Sequence, residues 1–186
     1  MHAHELSAKE HILTKDWMTT GSPDRQTVDQ DWNVIDQPRI EGVCCKEIRP
    51  VTTGKGTLTE IWRSEWALDG LAVGQIFQSL LDPGTVTDWH AHAHTTDRLF
   101  CSMGRIKLAL YDGRKSSPTF GAVWQRVFGP ERPLLVVVPP GVWHGLRVLG
   151  ATPSLILNVV DRGYNYENPD HWRLPPDTPH IPLSLL

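Results

Sequence analysis

The chain predicts an all-β domain of sandwich or barrel type, and three observations carry that expectation. Short runs rich in β-branched and aromatic residues follow one another from residue 57 to residue 161. Gly, Pro, Asp and Ser interrupt them about every 8–12 residues, the rhythm of short antiparallel strands. No strand–helix–strand alternation and no internal repeat is visible.

Residues 1–38 read as an N-terminal arm. One short helix is expected around "SAKEHILTKDWM", where Ser7 can cap and Glu10 stands three positions later. "MHAH", at the start, reads as a terminus and not as a chelating end. The expected strands follow in order: "TLTEIWRSEW", "LAVGQIFQSLL", "TVTDWHAHA", "RLFCSMG", "RIKLALYDG", "AVWQRVFG", "LLVVVPPG", "WHGLRVLG" and "SLILNVVD". In "RIKLALYD", Ile106, Leu108 and Leu110 point one way and Lys107 and Ala109 the other. "LLVVV" is continuously apolar, as a strand buried on both sides would be. Trp89 and Trp143 each precede a histidine, so alternation turns them to the opposite face, expected to be the intersheet core. The tail "NYENPDHWRLPPDTPHIPLSLL" holds five prolines and cannot be a central strand or a helix. It is expected to wrap the barrel or lie on a partner subunit, which makes residues 39–186 one domain.

Composition narrows the function. Hydrophobic residues make up 40% and the formal net charge is −3, with no long run of one sign, so neither nucleic acid nor an anionic membrane is an expected partner. No apolar run approaches the roughly 18–20 residues that span a bilayer. The polar N-terminus lacks the apolar stretch of a secretion signal. The three cysteines are odd in number, with Cys44 and Cys45 adjacent, which is no disulfide framework. A reducing, cytoplasmic setting is expected.

The chemistry concentrates in "GTVTDWHAHAHTTDRLFCSMG", residues 84–104, which places three histidines within five positions. On a strand, His90 and His92 share a face. Asp97 follows five residues later, and "PPGVWHG" brings His144 just past a buried strand. Three imidazoles and a carboxylate suit a divalent metal such as Zn, Fe, Ni or Mn, with His90, His92, Asp97 and His144 as ligands. The same histidines can serve as general bases without a metal. His94 keeps the parity but nears a turn, and is expected at the entrance, where substrate passes.

The spacing Gly84, five residues, His90, one, His92, four, Asp97, six, Gly104 resembles the first cupin motif, with Asp in place of Glu. Pro139, Gly141 and His144 resemble the centre of the second. The resemblance implies a double-stranded β-helix, or jelly roll, with the N-terminal arm and the Pro-rich C-terminal tail outside it.

"YDGRKSSPTFG" (111–121) and "VVVPPGVWHGLRVLG" (136–150) resemble the dTDP-4-dehydrorhamnose 3,5-epimerase branch of cupins, as do "IEGVCCKEIRPVTTGKGTLTEIWR" and "NVVDRGYNYENPDHWRLPPDTPHIP". The resemblance implies a histidine base at His90, a second histidine at His144 and a cation at Arg98. It also implies a homodimer. The chain departs from the pattern in three places. The arginine expected before the base is Thr87. The tyrosine acid falls near Leu157 or Asn158. The aspartate partner of the base falls at Asp177 or Thr178. Tyr164 and Tyr166 lie near the family's second tyrosine pair and could replace the acid or bind substrate.

The expected activity is therefore isomerase- or epimerase-like, beside a carbonyl of a small keto-sugar or related small-molecule substrate, with or without a metal. The alternatives are a metal-dependent cupin of another class (oxygenase, lyase or decarboxylase) and a non-catalytic ligand-binding cupin.

Overall fold

The computed structural model describes residues 26–35 and 37–186. The chain divides into two units, Met1–Gln37 and Pro38–Leu186. In the first, a β-bridge joins Val28 to Val34 around a turn held by the Asp29 carboxylate, which accepts from the backbone N–H of Asp31 and Asn33. The helix expected within residues 7–18 and the "MHAH" end lie outside the described residues.

Period-2 sequence becomes strand through most of the second unit. Its strands are β1 (Cys44–Glu47), β2 (Val51–Thr53), β3 (Gly56–Leu58), β4 (Gln75–Leu81), β5 (Trp89–Ala91) and β6 (Asp97–Met103). They continue with β7 (Ile106–Asp112), β8 (Val123–Phe128), β9 (Leu134–Val138), β10 (Val142–Val148), β11 (Ser154–Val160) and β12 (Trp172–Leu174). Two five-stranded antiparallel sheets form, ordered β1-β9-β6-β11-β4 and β12-β5-β10-β7-β8, with β2 and β3 as a separate hairpin. The architecture is the expected all-β jelly roll, and no α-helix occurs among the described residues. No helix among them is long and apolar enough to cross a membrane.

The inward residues obey the alternation. Ile106, Leu108 and Leu110 of β7 meet Leu99 and Cys101 of β6, Val136 and Val138 of β9, and Leu146 and Val148 of β10 in one buried cluster. β9 is buried at all five positions, as its unbroken apolar run requires. Its outward Leu135 lies with Phe100 and Ile48 under Ile61, Trp62, Trp66 and Leu68. Residues 59–73 thus cover the outer face of the first sheet. Extended structure was expected there, but only Gly56–Leu58 is strand, followed by a 3-10 turn at Ser64–Trp66. Adjacent Ile61 and Trp62 both pack on this cluster with Trp66 and Leu68, and burying sequence neighbours on one side is incompatible with an alternating strand.

The tail covers the outer face of the second sheet. β12 pairs with β5 as an edge strand, and Ile181 and Leu185 pack on Trp89 and Ala109 beside Trp143. Trp89 and Trp143 are therefore opposite the histidines as expected, but they lie under the tail and not in the intersheet core. Burying Ile181 and Leu185 stabilises the docked tail by about 1.5–3 kcal/mol each.

Gly104 turns the chain between β6 and β7 with a positive φ of 75°. A Cβ there would stand 2.3 Å from Ser154 Oγ and 2.5 Å from the Pro153 carbonyl. Gly104→Ala is expected to lower stability by at least about 2 kcal/mol, combining left-handed strain with overlap; the urea unfolding midpoint checks this.

Candidate active site

Three strands and the tail bring the polar residues to one end of the barrel. Register places His144 of β10 opposite His90 of β5, and Arg173 of β12 on the other side of His90. His92 follows β5 and Asp97 opens β6. Two residues before β12's second position stands His171, which the sequence reading missed. The imidazoles crowd together. Ring centroids are 3.9 Å apart for His90 and His144, 5.2 Å for His90 and His171, and 4.9 Å for His92 and His171.

Asp97 is the buried centre. Its Oδ1 accepts from Asn158 Nδ2 at 2.6 Å, and Asn158 Oδ1 in turn accepts the Arg98 backbone N–H at 3.1 Å, which fixes the amide's orientation. Asp97 Oδ2 lies 3.2 Å from both His92 Nε2 and His144 Nε2. Yet neither Oδ2 nor His144 Nε2 has a partner in hydrogen-bonding geometry. Burial would raise the Asp97 carboxyl, but the His144 and His92 imidazoles outweigh it and hold it far below the usual carboxylate range.

Backbone carbonyls set the imidazoles. His144 Nδ1 donates to the Val142 carbonyl at 3.1 Å, and His90 Nδ1 faces the Asp88 carbonyl at 3.4 Å. His92 Nδ1 donates to the Asp170 carbonyl. A carbonyl only accepts, so in the neutral rings Nε2 carries the lone pair. Burial, then the neighbouring His144, pushes His90 well below the ordinary imidazole value. Burial would also lower His92, but Asp97 outweighs it and raises it. Burial and the nearby Arg173 push His171 down to about 4.

The tail residue Asp170 organises the loop after β5. Its carboxylate accepts the backbone N–H of Ala93 (2.7 Å), His94 (2.8 Å) and Thr95 (3.1 Å) and the Thr95 hydroxyl (3.2 Å). Burial would raise this carboxyl, but those N–H groups hold it below its usual range.

Above the cluster opens a cavity of about 820 Å³, with Phe77, Tyr164, Tyr166 and Trp172 among its walls. Tyr164 and Tyr166 stack edge to face at 4.9 Å and are exposed at the rim, as is the His94 side chain. The expected residues His90, His92, Asp97 and His144 are thus brought together, with His94, Tyr164 and Tyr166 at the mouth.

Arg98 is not among them. Alternation turns it to the opposite face of β6, where its fully buried guanidinium bonds Asp69 at 2.7 and 3.0 Å and the Leu71 carbonyl at 3.1 Å. It also lies 4.3 Å from the Trp62 ring. The structure gives it the task of fastening residues 59–73 to the sheet. Asp177 and Thr178 do not line the cavity either.

The SPTFG hairpin is architectural as expected. Buried Asp112 accepts from Arg114 Nε (2.8 Å), Ser117 (2.6 Å) and Thr119 (2.6 Å), fixing the turn away from the histidines.

A jelly roll with a cavity over clustered histidines defines a cupin-type enzyme. Comparison with known proteins names the branch: the family profile for dTDP-4-dehydrorhamnose 3,5-epimerase matches residues 37–183, and the chain belongs to that family. It is an enzyme of epimerase type. It is 34% identical over 141 residues to a probable low-salt glycan biosynthesis epimerase, Agl13, of Haloferax volcanii, covering 75% of this chain and 90% of the relative. It is also 34% identical over 138 residues to the spore coat polysaccharide biosynthesis protein SpsL of Bacillus subtilis, covering 74% and 91%. Among solved structures, a dTDP sugar isomerase from Desulfovibrio desulfuricans superposes with a TM-score of 0.72 at 32% identity, covering 78% of this chain and 92% of that one.

Proposed function

We propose that the chain epimerises or isomerises a small keto-sugar, free or carried on a nucleotide, at a carbon beside its carbonyl. The observation that carries this reading is His90: an imidazole anchored at Nδ1, kept neutral by its surroundings, and lining the cavity. A neutral imidazole can take the acidic proton next to a carbonyl. A second donor, Tyr164, Tyr166 or water in the cavity, gives a proton to the opposite face to invert the centre, and His90 passes the proton it took to solvent. The cavity volume suits a sugar with part of its carrier. Incubation with dTDP-4-keto sugars in D2O tests the reading. Deuterium is expected at a carbon next to the carbonyl; sugar recovered unlabelled, with and without added Zn, Fe, Ni or Mn, would overturn it.

The reading includes a divalent cation held by His92, Asp97 and His144, with His90 beside them. The donor set supports it: two Nε2 lone pairs and a carboxylate oxygen face one another within 4.8 Å, an arrangement that repels itself unless a proton or a cation lies between. When bound, such an ion would supply positive charge for a developing enolate oxygen. The same donors support a second reading, a metal-dependent cupin of another class, which metal-dependent turnover without epimerisation would favour. The reading places the enzyme in the cytoplasm as a homodimer. Exposed Ile76 and Leu80 on the edge strand β4 support the pairing, and light scattering coupled to size exclusion tests it.

A further inference from the structure

We infer that His171, carried by the C-terminal tail, is a ligand of the cation site, and that Asp170 beside it is the positioning residue that holds both His171 and His92 in place. The inference rests on the cation reading above and changes its composition. The ligand set read from the sequence ends at His144; the structure adds an imidazole from a segment outside both cupin motifs.

Four observations converge. The donor nitrogens of His90, His92 and His171 lie within 4.8 Å of one another, so His92 belongs to this group and to the one with Asp97 and His144. His171 Nε2 is buried and has no hydrogen-bond partner, so it aims at the cluster and not at solvent. His90, His92 and His144 are each anchored at Nδ1 by a carbonyl. No hydrogen bond from the His171 ring is found among the described residues, which leaves its lone pair unspent.

The fourth observation is the seat. The dipeptide is pinned by the four bonds that Asp170 accepts from residues 93–95. The Asp170 carbonyl accepts the hydrogen bond from His92 Nδ1–H, which turns His92 Nε2 toward the site. Carbonyl and carboxylate partners of this kind orient metal-binding histidines and raise their basicity. One residue thus orients a ligand on β5's end while the next supplies another.

The experiment titrates Zn into metal-stripped full-length protein by calorimetry and records the Co(II) d–d spectrum. Wild type is compared with His171→Asn, His171→Ala, Asp170→Asn and His94→Ala, after thermal unfolding confirms that each is folded. The inference expects one Zn per wild-type chain. It expects at least a tenfold loss of Zn affinity and an altered Co(II) spectrum in both His171 variants. A loss of about 10- to 100-fold is expected in Asp170→Asn, with none in His94→Ala. Wild-type affinity and spectrum in the folded His171 variants would overturn the inference while leaving the cation reading standing. Wild-type protein that binds no Zn or Co would overturn both.

Discussion

Replacing Arg98 with methionine is expected to destabilise the protein by about 3–5 kcal/mol, because it leaves Asp69 without its counter-charge under a hydrophobic lid. The guanidinium is wholly buried and also ties down the Leu71 and Val159 carbonyls. Urea unfolding checks the magnitude. Turnover per folded molecule should stay within a few-fold of wild type, since Arg98 lies on the face of β6 away from the histidines; loss of turnover in fully folded protein would contradict that. The pH dependence has a defined sign. Burial alone would raise the Asp69 carboxyl, but its bonds to Arg98 outweigh burial and hold it below the usual value. A depressed folded value gives stability that is present above the ordinary carboxylate value of about 3.9 and is lost as pH falls through the lowered one. Wild type should therefore lose this increment on acidification, and Asp69→Asn should not.

His90→Asn is expected to lower kcat by roughly 100- to 10,000-fold, the usual contribution of a positioned general base, with little change in stability. Asparagine keeps a polar group near the Asp88 carbonyl but cannot accept the proton. The exchange of substrate protons with D2O should fall in parallel with kcat. A variant that still exchanged at the wild-type rate would move the base elsewhere in the cluster.

The barrel was legible because alternation and turn residues are local signals. β7 reads directly from "RIKLALYD", and the first cupin spacing located His90, His92 and Asp97. What failed to show was contact between distant segments. Arg98 sits next to Asp97 in sequence, yet a strand sends neighbours to opposite faces, so its partner is Asp69 in the lid. The same parity removed Trp89 from the histidine face, but which cover lay over it depended on the tail. His171 and Asp170 had a sequence signal, an Asp-His pair after Pro169 in a segment too proline-rich for regular structure. Its meaning depended on the pairing of β12 with β5, which no local pattern encodes.

The docking of that tail has a consequence for the life of the chain. A polypeptide ending at Asn168 would contain every strand of the first sheet and four of the five in the second. It would lack the residue that orients His92, the imidazole beside it, and the cover over Trp89 and Ala109. Truncation and exposure of an apolar face are therefore one event, and the fragments most prone to aggregate are the ones with an incomplete site. Segment 170–185 thus couples the orientation of His92 to the covering of the second sheet.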